Sequence, residues 1–126
     1  MKRLATILGS VLLTASAHAQ SPAITLVCGG IGFEQSQPML AAQGAHALTI
    51  VFATQSGSYV AGAKTLVADP LADVSATHDA CGPIGQVDVA QPGRYRVTAT
   101  LDGAVREQWV DLAPRGGARI VLRWPD

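Results

Sequence analysis

Gln91-Pro92-Gly93-Arg94-Tyr95-Arg96-Val97-Thr98-Ala99-Thr100-Leu101 decides the fold. A Pro-Gly turn opens a run in which Tyr95, Val97, Ala99 and Leu101 alternate with Arg94, Arg96, Thr98 and Thr100. Period-two alternation sends the first set to one face of a strand and the second to the other. Tyr, Val and Thr suit a half-buried pleated surface, and Pro-Gly marks where the strand begins. The run reads as the central strand of a small β-sandwich whose other strands cover its apolar face.

Working outward, Asp102-Gly103 is a two-residue hairpin signal of the type that needs positive φ. It predicts antiparallel pairing of Arg94–Leu101 with Ala104–Leu112. Pro114-Arg115-Gly116-Gly117 makes the next turn, and Arg119–Trp124 is the last strand. Upstream, Ile24–Cys28, Leu48–Ala53, Tyr59–Asp69 and Gln86–Ala90 read as further short strands, with Val74–Thr77 as a candidate short edge strand. The inward face of Tyr59–Asp69 is ambiguous, because Ala63, Thr65 and Val67 compete with Val60 and Leu66. Between the first two strands, Ser36 as cap, Pro38 in the first turn and Gly44 as stop predict one short helix. Turn signals about every 8–12 residues describe a mainly β, seven-stranded antiparallel sandwich.

The chain has 126 residues, enough for one domain. Lys2 and Arg3, the apolar run Leu4 to Leu13 and the small-residue motif Ala17-His18-Ala19 form the layout of a secretory signal peptide. The apolar run is far shorter than the roughly 20 residues that span a bilayer. The expectation is a leader at 1–19, cleavage after Ala19, and a single sandwich domain at 20–126. No Cys stands just after the cleavage site, which argues against a lipid anchor. No later stretch is long and apolar enough to cross a membrane. The brevity of the leader points to a bacterial periplasmic or secreted protein. Without Lys2 and Arg3 the chain is mildly acidic, which argues against nucleic acid as a partner.

An ordered set of segments resembles small secreted bacterial proteins with a carboxypeptidase regulatory-like domain. The set runs Gly29-Gly30-Ile31-Gly32 before a short helix, Leu48-Thr49-Ile50-Val51-Phe52-Ala53, and Ser56-Gly57-Ser58-Tyr59-Val60-Ala61. It continues through Gly82-Pro83 and Pro92-Gly93-Arg94-Tyr95-Arg96-Val97-Thr98-Ala99 to the terminal strand with Trp124. The resemblance implies a transthyretin-like (prealbumin-like) Greek-key sandwich with no zinc site or catalytic machinery of its own. It also implies that Tyr95 packs inward. The cysteines depart from the family pattern.

Cys28 and Cys81 are the only cysteines. An even count in an oxidising compartment favours a disulfide over two buried thiols, and no Cys-x-x-Cys marks a redox pair. His46 and His78 lack metal-ligand spacing with Cys28, Cys81 or Met39, so no metal and no cofactor is expected. A His78/Asp79 pair is a poor catalytic candidate, since neighbours on a strand face opposite ways. The Gly29–Gly32 run lacks the Lys-Ser/Thr ending and βαβ context of a phosphate loop, and reads as a tight turn under a packed helix.

Arg94, Arg96, Arg119 and Arg123 fall on outward positions of two strands, and Trp109 points outward from the strand between them. Arg and Trp are enriched at binding hot spots and stack by cation–π contact, so these five form a candidate binding face. A solvated face that guards against edge aggregation is the alternative. The combined expectation is a non-enzymatic module that binds a protein or an envelope component. The alternatives are a small hydrolase, since transthyretin-like folds include 5-hydroxyisourate hydrolases, and a carbohydrate-binding module. The hydrolases end in a Tyr-Arg-Gly-Ser tail, whereas this chain ends Arg123-Trp124-Pro125-Asp126. Carbohydrate-binding modules present more aromatics on one face than this chain has to spare.

Overall fold

The computed structural model describes residues 23–126; the expected leader and its cleavage site lie outside them. The elements are β1 (Ile24–Gly29), α1 (Phe33–Ala41), a 3-10 turn (Gln43–Ala45), β2 (Leu48–Thr54), β3 (Ala63–Asp69), β4 (Val74–Cys81) and β5 (Ile84–Val89). β6 (Gly93–Leu101), β7 (Ala104–Leu112) and β8 (Ala118–Trp124) complete the chain. They make two four-stranded sheets, ordered β1-β5-β2-β8 and β4-β3-β6-β7. The described residues therefore hold eight strands where seven were expected. All neighbours are antiparallel except β2 and β8, which run parallel from Leu48↔Ala118 to Thr54↔Trp124.

β6 is an interior strand, flanked by β3 and β7. Tyr95, Val97 and Ala99 point into the core, and Arg94 and Arg96 point out, as the alternation predicts. The Tyr95 hydroxyl donates to the Gln91 carbonyl at 2.7 Å, which closes the turn that starts the strand. Burial, with a smaller contribution from the Asp69 charge, pushes the Tyr95 hydroxyl pKa up. The hairpin turn has Asp102 at φ 50° and Gly103 at φ 79°, the pair of positive values that a two-residue turn requires. In β3 the register resolves the ambiguity: Ala63, Thr65 and Val67 are buried, and Lys64 is exposed.

The largest differences from the sequence reading fall at three boundaries. The helix starts at Phe33, with Gly32 as its N-cap and Ser36 buried inside it. Among the described residues no side chain caps the helix; the Gln35 side-chain oxygen instead holds the preceding loop, accepting from the N–H groups of Gly30 at 2.7 Å and Ile31 at 3.0 Å. Pro38 sits beyond the first turn, where its missing N–H leaves one helical bond unmade. Tyr59 joins Ala53 only through an isolated bridge, so β3 begins at Ala63. Finally, β4 runs on to Cys81, because a bulge opposite Lys64 accommodates Asp79 and Ala80 between the pairs Thr65↔His78 and Ala63↔Cys81.

Leu48, Ile50, Phe52, Val67, Val87 and Val97 are fully buried and form the centre of the core. β2 is buried on both faces, as a strand covered on both sides must be. Its outer face lies near α1, where the buried Gln86 amide donates to the Met39 carbonyl at 2.6 Å and the Thr49 hydroxyl at 3.2 Å. These bonds tie the helix to the sheet and satisfy a polar group that would otherwise be costly to bury.

The sandwich has two open sides. On one, Cys28 of β1 and Cys81 of β4 form a disulfide across a sequence separation of 53. On the other, Trp124 of β8 stacks on Phe52, with centroids 6.1 Å apart, and its indole N–H donates to the Ala104 carbonyl of β7 at 2.9 Å. Arg106 of β7 lies over the Trp124 ring and donates through Nε to the Arg123 carbonyl at 2.6 Å.

Candidate functional site

Arg94 and Arg96 are two residues apart on β6, hence on one face, and Arg96 stands opposite Trp109 in the β6–β7 register. Both guanidiniums lie over the Trp109 ring, at 5.8 Å and 5.6 Å from its centroid. Trp109 still exposes 43 % of its surface. Two carboxylates stand nearby, Asp111 at 4.0 Å from Arg94 and Glu107 at 3.9 Å from Arg96. Those separations are ion-pair contacts, too long for hydrogen bonds. Accordingly Arg96 Nε is buried without a hydrogen-bond partner among the described residues. Exposed ion pairs and exposed cation–π contacts each contribute little to stability, and the two together hold the arginines against the ring. The face is left with guanidinium donors that a ligand can use.

Arg119 and Arg123 do not join this face. They belong to β8, which the parallel pairing with β2 places in the other sheet. The expected five-residue cluster is therefore a cluster of three, Arg94, Arg96 and Trp109. Arg123 donates to the Thr54 carbonyl at 3.0 Å, a contact that holds the end of β2.

A second feature was not singled out from the sequence. Ile31 and Phe33, after β1, and Tyr59, Val60 and Ala61, before β3, line a groove of about 470 Å³ together with Pro83. Phe33 and Ile31 are 77 % and 71 % exposed, unusual for side chains of this size. None of the lining residues among those described carries a charge. Glu34 borders only an adjoining depression that shares Ile31 and Phe33. Gly82 makes the approach of these segments possible: its φ is +108°, and a Cβ there would lie 2.8 Å from the Val60 carbonyl oxygen. A tight turn was expected at Gly29–Gly32; the turn also forms one wall of this groove.

The histidines are arranged differently from the adjacent His78/Asp79 pair weighed above. His78 Nδ1 accepts from the Ala80 N–H at 3.2 Å, a local contact of the bulged strand. His46 Nδ1 instead meets the Asp88 carboxylate at 2.9 Å, across 42 residues. No hydroxyl or thiol among the described residues is hydrogen-bonded to that ring. The pair thus ties the start of β2 to β5, and no nucleophile accompanies it. Among the described residues no group of three or more His, Cys, Asp or Glu could hold a metal ion, and no helix is long and apolar enough to cross a membrane.

No protein-family model, curated protein or solved structure matches the chain. Function is accordingly argued from the chemistry of these surfaces.

Proposed function

We propose that the chain is a secreted or periplasmic, non-enzymatic binding module that engages a protein or envelope component through the Arg94–Trp109–Arg96 face. The observation that carries this reading is the half-exposed Trp109 ring with two guanidiniums ordered against it and no carboxylate within hydrogen-bond distance. Trp and Arg pre-positioned in this way bind with little loss of side-chain freedom.

We also propose that the sandwich is a transthyretin-like, carboxypeptidase regulatory-like domain of Greek-key type. Setting aside β1, which adds to the free edge of β5, leaves the seven strands that such a fold calls for. The path from β4 through β5 in the other sheet to β6, which returns beside β3, supports Greek-key connectivity. A disulfide suits an oxidising compartment.

The test is crosslinked capture from periplasm by the folded chain and by Arg96→Glu and Trp109→Ala. One dominant partner that both variants lose, at least about tenfold in each case, supports the face. Equal capture by wild type and both variants overturns it.

A further inference from the structure

We propose that the groove between Ile31–Phe33 and Tyr59–Ala61 binds an extended, uncharged apolar peptide segment by strand addition, as a site separate from the Arg–Trp face. Residues 59–61 form one wall of this groove. The Thr54 N–H donates to the Ser58 carbonyl at 2.8 Å, the Val60 N–H to the Phe52 carbonyl at 3.0 Å, and the Gly62 N–H to the Cys81 carbonyl at 3.0 Å. In an antiparallel pair the groups of successive residues point alternately toward and away from the partner strand. Tyr59 stands opposite Ala53 between two such bonds, so its own N–H and C=O point away from β2. Ala61, two residues on, lies between the Val60 and Gly62 N–H groups that bond the Phe52 and Cys81 carbonyls. Among the described residues neither Tyr59 nor Ala61 has a backbone hydrogen-bond partner.

Tyr59 and Ala61 are also groove residues, and both are exposed. The groove therefore combines an open strand edge with apolar walls. An extended peptide satisfies both at once: its main chain pairs with Tyr59 and Ala61, and alternate side chains settle against Ile31, Phe33 and Pro83. An ionic ligand would find no charged partner in the lining, and desolvating its charge there would be costly. Charge complementarity thus selects a neutral segment. A compact apolar molecule would fill the space but leave the open edge unpaired.

The test screens the folded chain against a library of acetylated, amidated octapeptides in which apolar residues alternate with Ser or Thr. Binding is read by NMR, with hydrogen exchange followed at the Tyr59 and Ala61 amides. The expected result is peptides with Kd below about 1 mM that slow exchange at both amides. Binding should fall at least about tenfold in an Ile31→Ser/Phe33→Ser variant, whose sites are surface-exposed, and stay unchanged in Trp109→Ala. Alternate N-methylation of the best peptide, which removes its edge donors, should abolish binding. The proposal is overturned if no library member binds below about 1 mM, or if N-methylated peptides bind equally well. It is also overturned if the only occupant is an apolar dye, or a second copy of the chain seen as a dimer that Ile31→Ser/Phe33→Ser dissociates. Unchanged affinity in Trp109→Ala keeps this test independent of the Arg–Trp reading.

Discussion

The two open sides of the sandwich meet the same demand by different chemistry. Between β1 and β4 a covalent link joins two edge strands, and β4 is exposed at alternate positions until Cys81. Between β7 and β8 the closure is non-covalent: Trp124 packs into the core on Phe52, and Arg106 covers its ring. The first closure depends on the redox poise of the compartment, whereas the second holds wherever the chain folds. The two sides also support different surfaces. The disulfide anchors the groove, because Cys28 leads into Gly30–Phe33, Cys81 accepts the Gly62 N–H, and Pro83 follows Cys81 by two residues. The Trp124 side braces β7, the strand that carries Trp109. Binding at the two surfaces is therefore expected to be separable.

The largest expected effect comes from breaking the non-covalent side. Trp124→Ala removes a nearly fully buried ring, its stacking on Phe52 and its bond to Ala104, at a cost of about 3–5 kcal/mol. Urea unfolding should show the midpoint fall accordingly, and a loss under about 1 kcal/mol would mean that β7 and β8 are held by something else. Breaking the covalent side costs somewhat less. A Cys28→Ala/Cys81→Ala chain, or the reduced wild type, should lose about 2–4 kcal/mol, since the loop closed by the bond is long. Hydrogen exchange in the reduced protein should rise first at Tyr59–Gly62 and Gly30–Phe33, with the β6–β7 hairpin still protected. Equal loosening at both places would show that the two sides act as one cooperative unit.

What the sequence made legible follows the range of each signal. The β6–β7 hairpin was readable because its alternation, its Pro-Gly start and its Asp102-Gly103 turn are all local. Sheet membership is not local. Periodicity shows that Arg119 and Arg123 share a face of β8, yet only the parallel pairing with the distant β2 decides which sheet that face belongs to. The helix start differs because Ser36 matches a capping residue type, yet it lies buried within the helix, whose N-cap position is Gly32. The groove gave no local signal, since its walls come from three segments that meet only in the folded chain. The one available hint was Gly82, whose small size the approach to Val60 requires. Likewise His46 and Asp88 are too far apart in sequence to be read as a pair.

The smallest expected effect is a local response to pH. Beside the Trp124 end of β8, the Asp126 carboxylate accepts from the Ser56 N–H at 3.0 Å. That bond, with help from the Thr54 hydroxyl, holds its pKa below the ordinary 3.8. A carboxylate with a lowered folded pKa contributes stability that is present above its unfolded pKa and lost as pH falls through the folded value. The 54–58 turn should therefore loosen only in acid, below about pH 4. Because the carboxylate is exposed, the effect on global stability should be slight, and it is best seen as faster amide exchange at Ser56. Asp126→Asn removes the ionisation and should flatten that local pH dependence while leaving the disulfide side unchanged. An acid response of equal size at Gly62, next to the disulfide, would show instead that the turn and the groove wall move together along the 54–62 segment.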